Sequence, residues 1–254
     1  MSEIRHHQWA LTVAERHAGG STVDRHYHDD HQLVYVSTGV LAVETAAGNW
    51  VASKDRAVWL PAGTWHAHRF YGASMLHTVG FARERPPLPE AGPTIVAVSP
   101  LLRELLIAIA DPSLTASELG RVRGVLRDQL RRSSQQAISL PAARDPRLAD
   151  ACELASAELH RSIPLTELAR RVGASERNLS RLFRDELGMS YPQWRTNLRL
   201  LNAMIVLSGG ASVTTTARQC GWNTTSAFID AFRGAFGQTP GVYRAATASQ
   251  SPEA

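Results

Sequence analysis

The chain changes its hydrophobic rhythm once, near residue 100. From Trp9 to about Ser99, apolar residues come in short runs broken by Gly, Pro and polar turns: QLVYVSTG, VLAVETAAG, NWVAS, RAVWLPAG and SMLHTVGF. VLAVET alternates as a strand with one buried face does, and the Ala-Gly-Asn after it predicts a hairpin turn. Many short strands at this spacing predict a double-sheet jelly roll or barrel. Beyond residue 100 the apolar positions recur every three or four residues, the helical period. Leu101, Leu102, Leu105, Leu106 and Ile109 form one stripe; Leu119, Val122, Leu126 and Leu130 form another. Such a pair of helices can pack on the barrel or make a dimer seam, and the second use is the expectation here. The polar, Pro-interrupted SSQQAISLPAARDP that follows reads as a linker.

The rear of the chain repeats itself. Residues 165–195 read LTELARRVGASERNLSRLFRDELGMSYPQWR and residues 213–244 read VTTTARQCGWNTTSAFIDAFRGAFGQTPGVYR. With one extra residue in the second turn, Ala169 pairs with Ala217, Gly173 with Gly221, Leu179 with Phe228 and Phe183 with Phe232. Gly188 then pairs with Gly237 and Arg195 with Arg244. Each copy predicts a short helix, a Gly-containing turn, and a second helix that starts at a capping residue (Ser175, Thr224) and stops at a Gly. This is the punctuation of a helix-turn-helix unit, whose second helix can enter a major groove. Helical hairpins also occur in all-α cores that never meet DNA. A tandem pair sharing this many positions, joined by a stretch that reads as one helix (RTNLRLLNAMIVLSGGA), is far less generic.

On these motifs, residues 145–244 resemble the DNA-binding domain of the AraC/XylS transcriptional regulators, through DPRLADACELA, LSRLFRDELGMSYPQWRTNLRLLNA and AFIDAFRGAFGQTPGVYR. The resemblance implies two helix-turn-helix units on one long helix, addressing successive major-groove segments of double-stranded promoter DNA. In the first reading helix, helical periodicity leaves Arg177, Asn178, Ser180, Arg181 and Arg184 outside. The resemblance places base-edge contacts at Arg177, Ser180 and Arg181. An arginine fork suits guanine O6 and N7. Arg181 has a competing use, an ion pair with Asp185 one turn on, so Arg177 ranks above it. The second reading helix offers Thr225, Ser226, Ile229 and Asp230, with no arginine before Arg233. Hydroxyls suit phosphate, Ile229 a thymine methyl and Asp230 a cytosine amino group.

Charge sharpens this division. The net +4 is uneven: residues 1–99 hold eight Lys/Arg against nine Asp/Glu, residues 100–144 seven against four, and residues 145–244 twelve against nine. The positive excess of the rear half fits phosphate binding, though +3 alone is ordinary for a soluble domain. No apolar run is long enough for a membrane span and no basic-then-apolar leader is present, so a cytoplasmic, membrane-free protein is expected. Cys152 and Cys220 each fall on an apolar helical face and read as core packing.

Nine of the ten histidines lie in residues 1–77. His26 and His28 share a strand face because the side-chain period is two, and Gln32 follows with the same parity. Farther on stand Pro61, Gly63 and His66 in PAGTWH. Together these resemble the paired motifs of the cupin barrels over roughly residues 20–70. In metal-bearing cupins the matching positions hold a divalent transition metal through three imidazoles and one carboxylate. The resemblance thus implies a site at His26, His28, Gln32 and His66 for Zn²⁺, Ni²⁺, Fe²⁺ or Mn²⁺. The chain departs from the pattern in three places. A neutral Gln32 replaces the carboxylate, Asp55 stands where the second motif opens with Gly, and Phe70 where it closes with Asn. His68 shares parity with His66, while His6, His7, His17 and His31 read as exposed. A histidine-lined cavity can equally hold an organic small-molecule effector.

The expected fold is multidomain: an N-terminal all-β cupin-like jelly-roll barrel, then an all-α domain of two helix-turn-helix units. The expected divisions are residues 1–99 (sensor), 100–132 (helical pair, possible dimerisation region), 133–144 (linker), 145–244 (DNA reader) and 245–254 (disordered tail). The expected function is a one-component, ligand- or metal-responsive transcription regulator, a homodimer and not an enzyme; the resemblance to AraC-type regulators implies control of a nearby transporter or metabolic gene. The enzymatic alternative is a cupin dioxygenase or isomerase with an accessory DNA-binding domain. A non-sensing architectural DNA binder would need no pocket.

Overall fold

The computed structural model describes residues 4–133, 135–136 and 140–248. The chain forms two compact units, residues 1–139 and 140–254.

The first unit is a strand-rich half-barrel. Its strands are β1 (Arg5–His7), β2 (Val13–His17), β3 (Thr22–His28), β4 (His31–Thr45), β5 (Gly48–Ala52), β6 (Arg56–Leu60), β7 (His66–Phe81), β8 (Thr94–Ala97) and β9 (Gln135–Gln136). The order is β1-β3-β7-β4-β6-β8-β9, with β2 also on β7 and β5 also on β4. Two long strands organise everything else. The first half of β7 pairs with β3 and with the end of β4, and its second half pairs with β2 and the start of β4. The change of partner requires a bend, and the β4–β7 register shifts on both sides of Thr38. Gly39 makes the bend possible: its φ is +73°, and a Cβ there would lie 2.1 Å from Ser74 Oγ.

Both faces of β4 are buried. Leu33 and Tyr35 face one core with Trp59, Val79 and Phe81; Val34 and Val36 face another with Trp50, Phe70 and Leu76. The helices α1 (Pro100–Ala108) and α2 (Ala116–Arg132) supply Leu102, Leu106, Leu126 and Leu130 to the first of these cores, joined by Ile109 at the end of α1. Most of the apolar surface expected at a dimer seam is therefore spent on the sheet. Leu101 and Val125 stay exposed.

Three sequence expectations shift. The β4–β5 turn is Ala46–Ala47, one residue earlier than read, since Thr45 pairs with Gly48. Thr45 closes this turn by accepting from Ala47 N at 3.1 Å and donating to Gly48 O at 3.2 Å. Within the expected linker, Gln135–Gln136 pairs with β8 as a short strand, and residues 134 and 137–139 lie outside the described residues. Residues 245–248 of the expected tail belong to a helix that runs to Ala248; residues 249–254 lie outside the described residues.

The second unit is helical: α3 (Pro146–Ala157), α4 (Leu165–Arg171), α5 (Glu176–Leu187), α6 (Tyr191–Ser208), α7 (Val213–Gln219), α8 (Thr225–Phe236) and α9 (Pro240–Ala248). The repeat in the sequence becomes a repeat in geometry. Ser175 Oγ accepts from Asn178 N and Thr224 Oγ1 from Ala227 N, both at 3.2 Å, so each reading helix starts on a side-chain cap. Each stops at a left-handed glycine, Gly188 at φ +67° and Gly237 at φ +69°. Leu168, Leu179, Leu182, Phe183 and Trp194 fill the first copy's core. Phe228, Phe232 and Tyr243 fill the second, with ring centroids 5.5–5.7 Å apart. The 18 residues of α6 join the copies over about 27 Å at 1.5 Å per residue. Burial pushes the Cys152 thiol up to about 12 and Cys220 up to about 11, which keeps both as packing groups rather than thiolates.

Candidate functional site

A bulge in β3 creates the imidazole cluster. His26 pairs with His66 and Val23 with His68, so two residues of β3, Asp24 and Arg25, stand against the single Ala67 of β7. The extra residue turns Asp24 and Arg25 away, so Val23, His26 and His28 all face inward with His66 and His68. Outside, Arg25 pairs with Glu44 at 2.6 Å and lies 4.6 Å over the Trp65 ring. The turn carrying Pro61 and Gly63 is pinned to the same place. Gly63 N donates to His28 O at 2.8 Å, and Ala62 N to His31 Nδ1 at 3.1 Å.

His26, His28 and His66 each bring a ring nitrogen to within 4.8 Å of the others. The backbone sets two of the rings: Nδ1 of His26 lies 2.8 Å from Asp24 O, and Nδ1 of His66 lies 2.9 Å from Thr64 O. A ring that donates from Nδ1 to a carbonyl presents a lone pair at Nε2, the tautomer a metal ion takes. Nε2 of His66 and Oε1 of Gln32 are both buried without a hydrogen-bond partner. Burial lowers the pKa of His28 to about 4 and of His66 to about 3, with His26 adding to both effects; burial also lowers His26. These rings are neutral at pH 7, the form that ligates.

A cavity of about 290 Å³ opens beside the cluster. His26, His28, Gln32 and His68 form its polar side, while Trp9, Leu11, Val13, Val23 and Leu76 form its apolar side. Gln32 thus joins the histidines where its parity predicted.

The reading helices divide as follows. On α5, Arg177, Arg181 and Arg184 are exposed, with Ser180 and Asn178 half-buried. Arg181 is engaged on its own helix, reaching Asp185 Oδ2 at 3.3 Å and Asn178 Oδ1 at 3.1 Å. The Arg177 side chain makes no hydrogen bond or ion pair among the described residues. On α8, Ser226, Asp230 and Arg233 are exposed and Thr225 and Ile229 half-buried. Asp230 is not a free acceptor: Arg233 holds it at 3.1 Å.

A helix-turn-helix domain model matches residues 168–246 and a cupin domain model matches residues 13–79. The chain is 31% identical over 254 residues to the HTH-type transcriptional regulator NimR of Escherichia coli (strain K12), covering 98% of this chain and 92% of that protein. The chain belongs to the AraC-type transcriptional regulators and carries a cupin domain. It is 29% identical over 201 residues to the arabinose operon regulatory protein of Salmonella typhimurium, spanning 77% of this chain and 66% of that protein. Among solved structures, an AraC-type DNA-binding domain regulator from Chromobacterium violaceum aligns with 42% of this chain and 96% of its own, at 29% identity and a TM-score of 0.39.

In this AraC-type regulator two histidines near the cluster escaped the motif reading. His68 is buried, its ring centroid 5.2 Å from that of His66, and burial holds its pKa well below the usual range. Only its parity with His66 signalled it. His7 is exposed, as expected, yet its ring lies 5.6 Å from both His26 and His28. No local signal could place it there, because β1 joins β3 through a parallel pairing. His17 and His31, expected to be exposed, are half-buried on aromatic faces. His17 stacks on Phe70 at 3.9 Å and His31 on Trp59 at 5.1 Å. No helix among the described residues is long and apolar enough to cross a membrane.

Proposed function

We propose that this regulator senses a divalent transition metal, or a small molecule beside it, in the cupin cavity and reads an operator with α5 and α8. The observation that carries the sensor reading is the set of neutral imidazoles at His26, His28 and His66, two of them anchored by backbone carbonyls, with Gln32 Oε1 unpaired beside them. Three imidazoles and an amide oxygen fit Zn²⁺, Ni²⁺, Fe²⁺ or Mn²⁺. Bound there, the ion would supply a fixed positive charge and Lewis acidity beside the cavity. The chain's own residues do the rest. Asp24 and Thr64 carbonyls hold the ring tautomers, and Trp9, Leu11 and Leu76 give the cavity an apolar wall.

In the reader, Arg177, Ser180, Arg181 and Arg184 face the first half-site, and Thr225, Ser226, Ile229, Asp230 and Arg233 the second. Arg177 is the principal base reader, supported by its free, exposed guanidinium. Asp230 and Arg233 act as a pair rather than singly. The regulator works as a cytoplasmic homodimer. Leu101 and Val125, exposed on the helical pair, are the apolar surface that supports a second copy there. Occupancy of the cavity changes operator affinity through a coupling free energy between the two sites. The test is metal analysis of purified protein together with operator binding, with and without chelator. Metal-free protein whose operator binding ignores added Zn²⁺ and Ni²⁺ removes the metal reading.

Gln32 gives a signed prediction. In Gln32→Glu the carboxylate matches the charged ligand of metal-bearing cupins, so metal affinity rises by about tenfold or more while the metal-free protein melts lower. The loss without metal follows because an unpaired carboxylate is then buried, a cost of several kcal/mol or a forced protonation. Titration by calorimetry and melting with and without chelator read the two signs separately.

A further inference from the structure

The two copies of the helix-turn-helix share a glycine in the turn, but the two glycines meet different surroundings. Gly173 and Gly221 both have positive φ, +66° and +78°. A Cβ on Gly173 would meet nothing within 4 Å. A Cβ on Gly221 would lie 2.4 Å from the Leu159 carbonyl oxygen, 3.1 Å from His160 Cα and 3.0 Å from Arg199 Nη2. The turn of the second unit is thus pressed against the loop that leads into the first.

Helix α6 grips both partners from behind. Tyr191 Oη donates to Ile163 O at 2.9 Å, and Arg195 Nη1, one turn on, donates to the same oxygen at 3.1 Å. Ile163 lies two residues before α4, so these contacts fix the first unit. Arg199, a further turn along, sets its guanidinium beside Gly221 and 5.8 Å from the Trp222 ring, which fixes the second. Such an arrangement is expensive. Arg195 is 6% exposed with Nε and Nη2 unpaired, Nε of Arg199 is buried and unpaired, and burial with the Arg195 charge lowers the pKa of Arg199. Both guanidinium groups leave buried nitrogens unpaired at the contacts that hold the two turns, a cost that apolar residues there would not carry.

We propose that the junction of Gly221, Arg199 and the Leu159–His160 corner fixes the phase between α5 and α8, and so sets the half-site spacing this regulator accepts. The inference rests on the reading that both helices enter DNA. A helix of fixed length sets a distance, but each unit could still swivel on it; one base pair rotates a half-site by about 34–36°, so an uncontrolled swivel would blur spacing. Arg195 and Arg199 are positioning residues in this account and touch no base.

The test uses full-length protein and an operator selected from random duplexes, then duplexes with one base pair added or removed between the half-sites. Wild type is expected to lose about tenfold in affinity for either change, the scale of one wrong base pair. Gly221→Ala and Arg199→Gln are expected to bind all spacings within about twofold of each other, with affinity for a single half-site duplex unchanged. Arg199→Lys recovers part of the discrimination. Gly173→Ala bears the same strain of a positive φ without the contact and keeps the wild-type spacing preference. Retained discrimination in both Gly221→Ala and Arg199→Gln overturns the proposal, as does equal loss in Gly173→Ala. If melting shows Gly221→Ala unfolded, the two Arg199 variants decide alone. A selection that returns one half-site only removes the two-helix reading itself, and the junction with it.

Discussion

His66→Ala is expected to abolish metal uptake and to erase the difference in melting temperature between metal-loaded and chelated protein. Three features make His66 the most sensitive ligand position. It opens β7, the strand that pairs with β3 and β4 together, and its Nδ1 is held by Thr64 O. Its Nε2 is buried and unpaired, so nothing competes for the lone pair. An ion present at a thousand times its dissociation constant stabilises the folded state by about 4 kcal/mol, which for a unit of this size is roughly 10 °C. Removing one of three imidazoles leaves two, too few to keep a four-coordinate ion against chelator. Wild type should therefore lose roughly 10 °C on chelation and His66→Ala almost none. Identical melting of wild type in excess Zn²⁺ or Ni²⁺ and in chelator would end the metal account and leave the cavity to an organic effector.

Arg177→Ala is expected to weaken operator binding by about 1–3 kcal/mol, roughly 5- to 150-fold, and to relax the preference at one guanine. The physical reason is availability. The Arg181 guanidinium is already shared between Asp185 and Asn178, and a DNA contact would have to replace those bonds. Arg181→Ala should accordingly cost less than Arg177→Ala. Ser226→Ala removes a hydroxyl that at most meets phosphate, and should change affinity by no more than about threefold. Filter binding or anisotropy on a selected operator ranks the three. An Arg177→Ala protein that binds like wild type, beside an impaired Ser226→Ala, reverses the assignment of the dominant helix.

The reader was the more legible half of this sequence, because its signals are local. A cap, a left-handed glycine and an apolar period are each decided within four or five residues, so Ser175, Thr224, Gly188 and Gly237 could be placed before any fold was known. The sensor depends on pairings between distant strands. Parity placed His26, His28 and Gln32 on one side, but it could not reveal the bulge at Asp24 and Arg25 that brings Val23 to that side as well. Nor could it bring His7 to the cluster, since a parallel pairing carries no sequence mark. The stripes on α1 and α2 were visible, whereas their target was not; the same leucines would serve a sheet or a partner. Asp230 illustrates the limit on the reading helices. Its exposure followed from the helical period, but its pairing with Arg233 depends on side-chain conformation.

Trp9 stands at the edge of the cavity with 62% of its surface open, while Trp50, Trp59 and Trp194 are buried and Trp65 and Trp222 half-covered. Of the six indoles, it is the one a dissolved quencher such as iodide reaches most freely. Whatever enters beside it must shade it, so the intrinsic fluorescence of this protein carries a reporter of cavity filling that needs neither a label nor knowledge of the occupant.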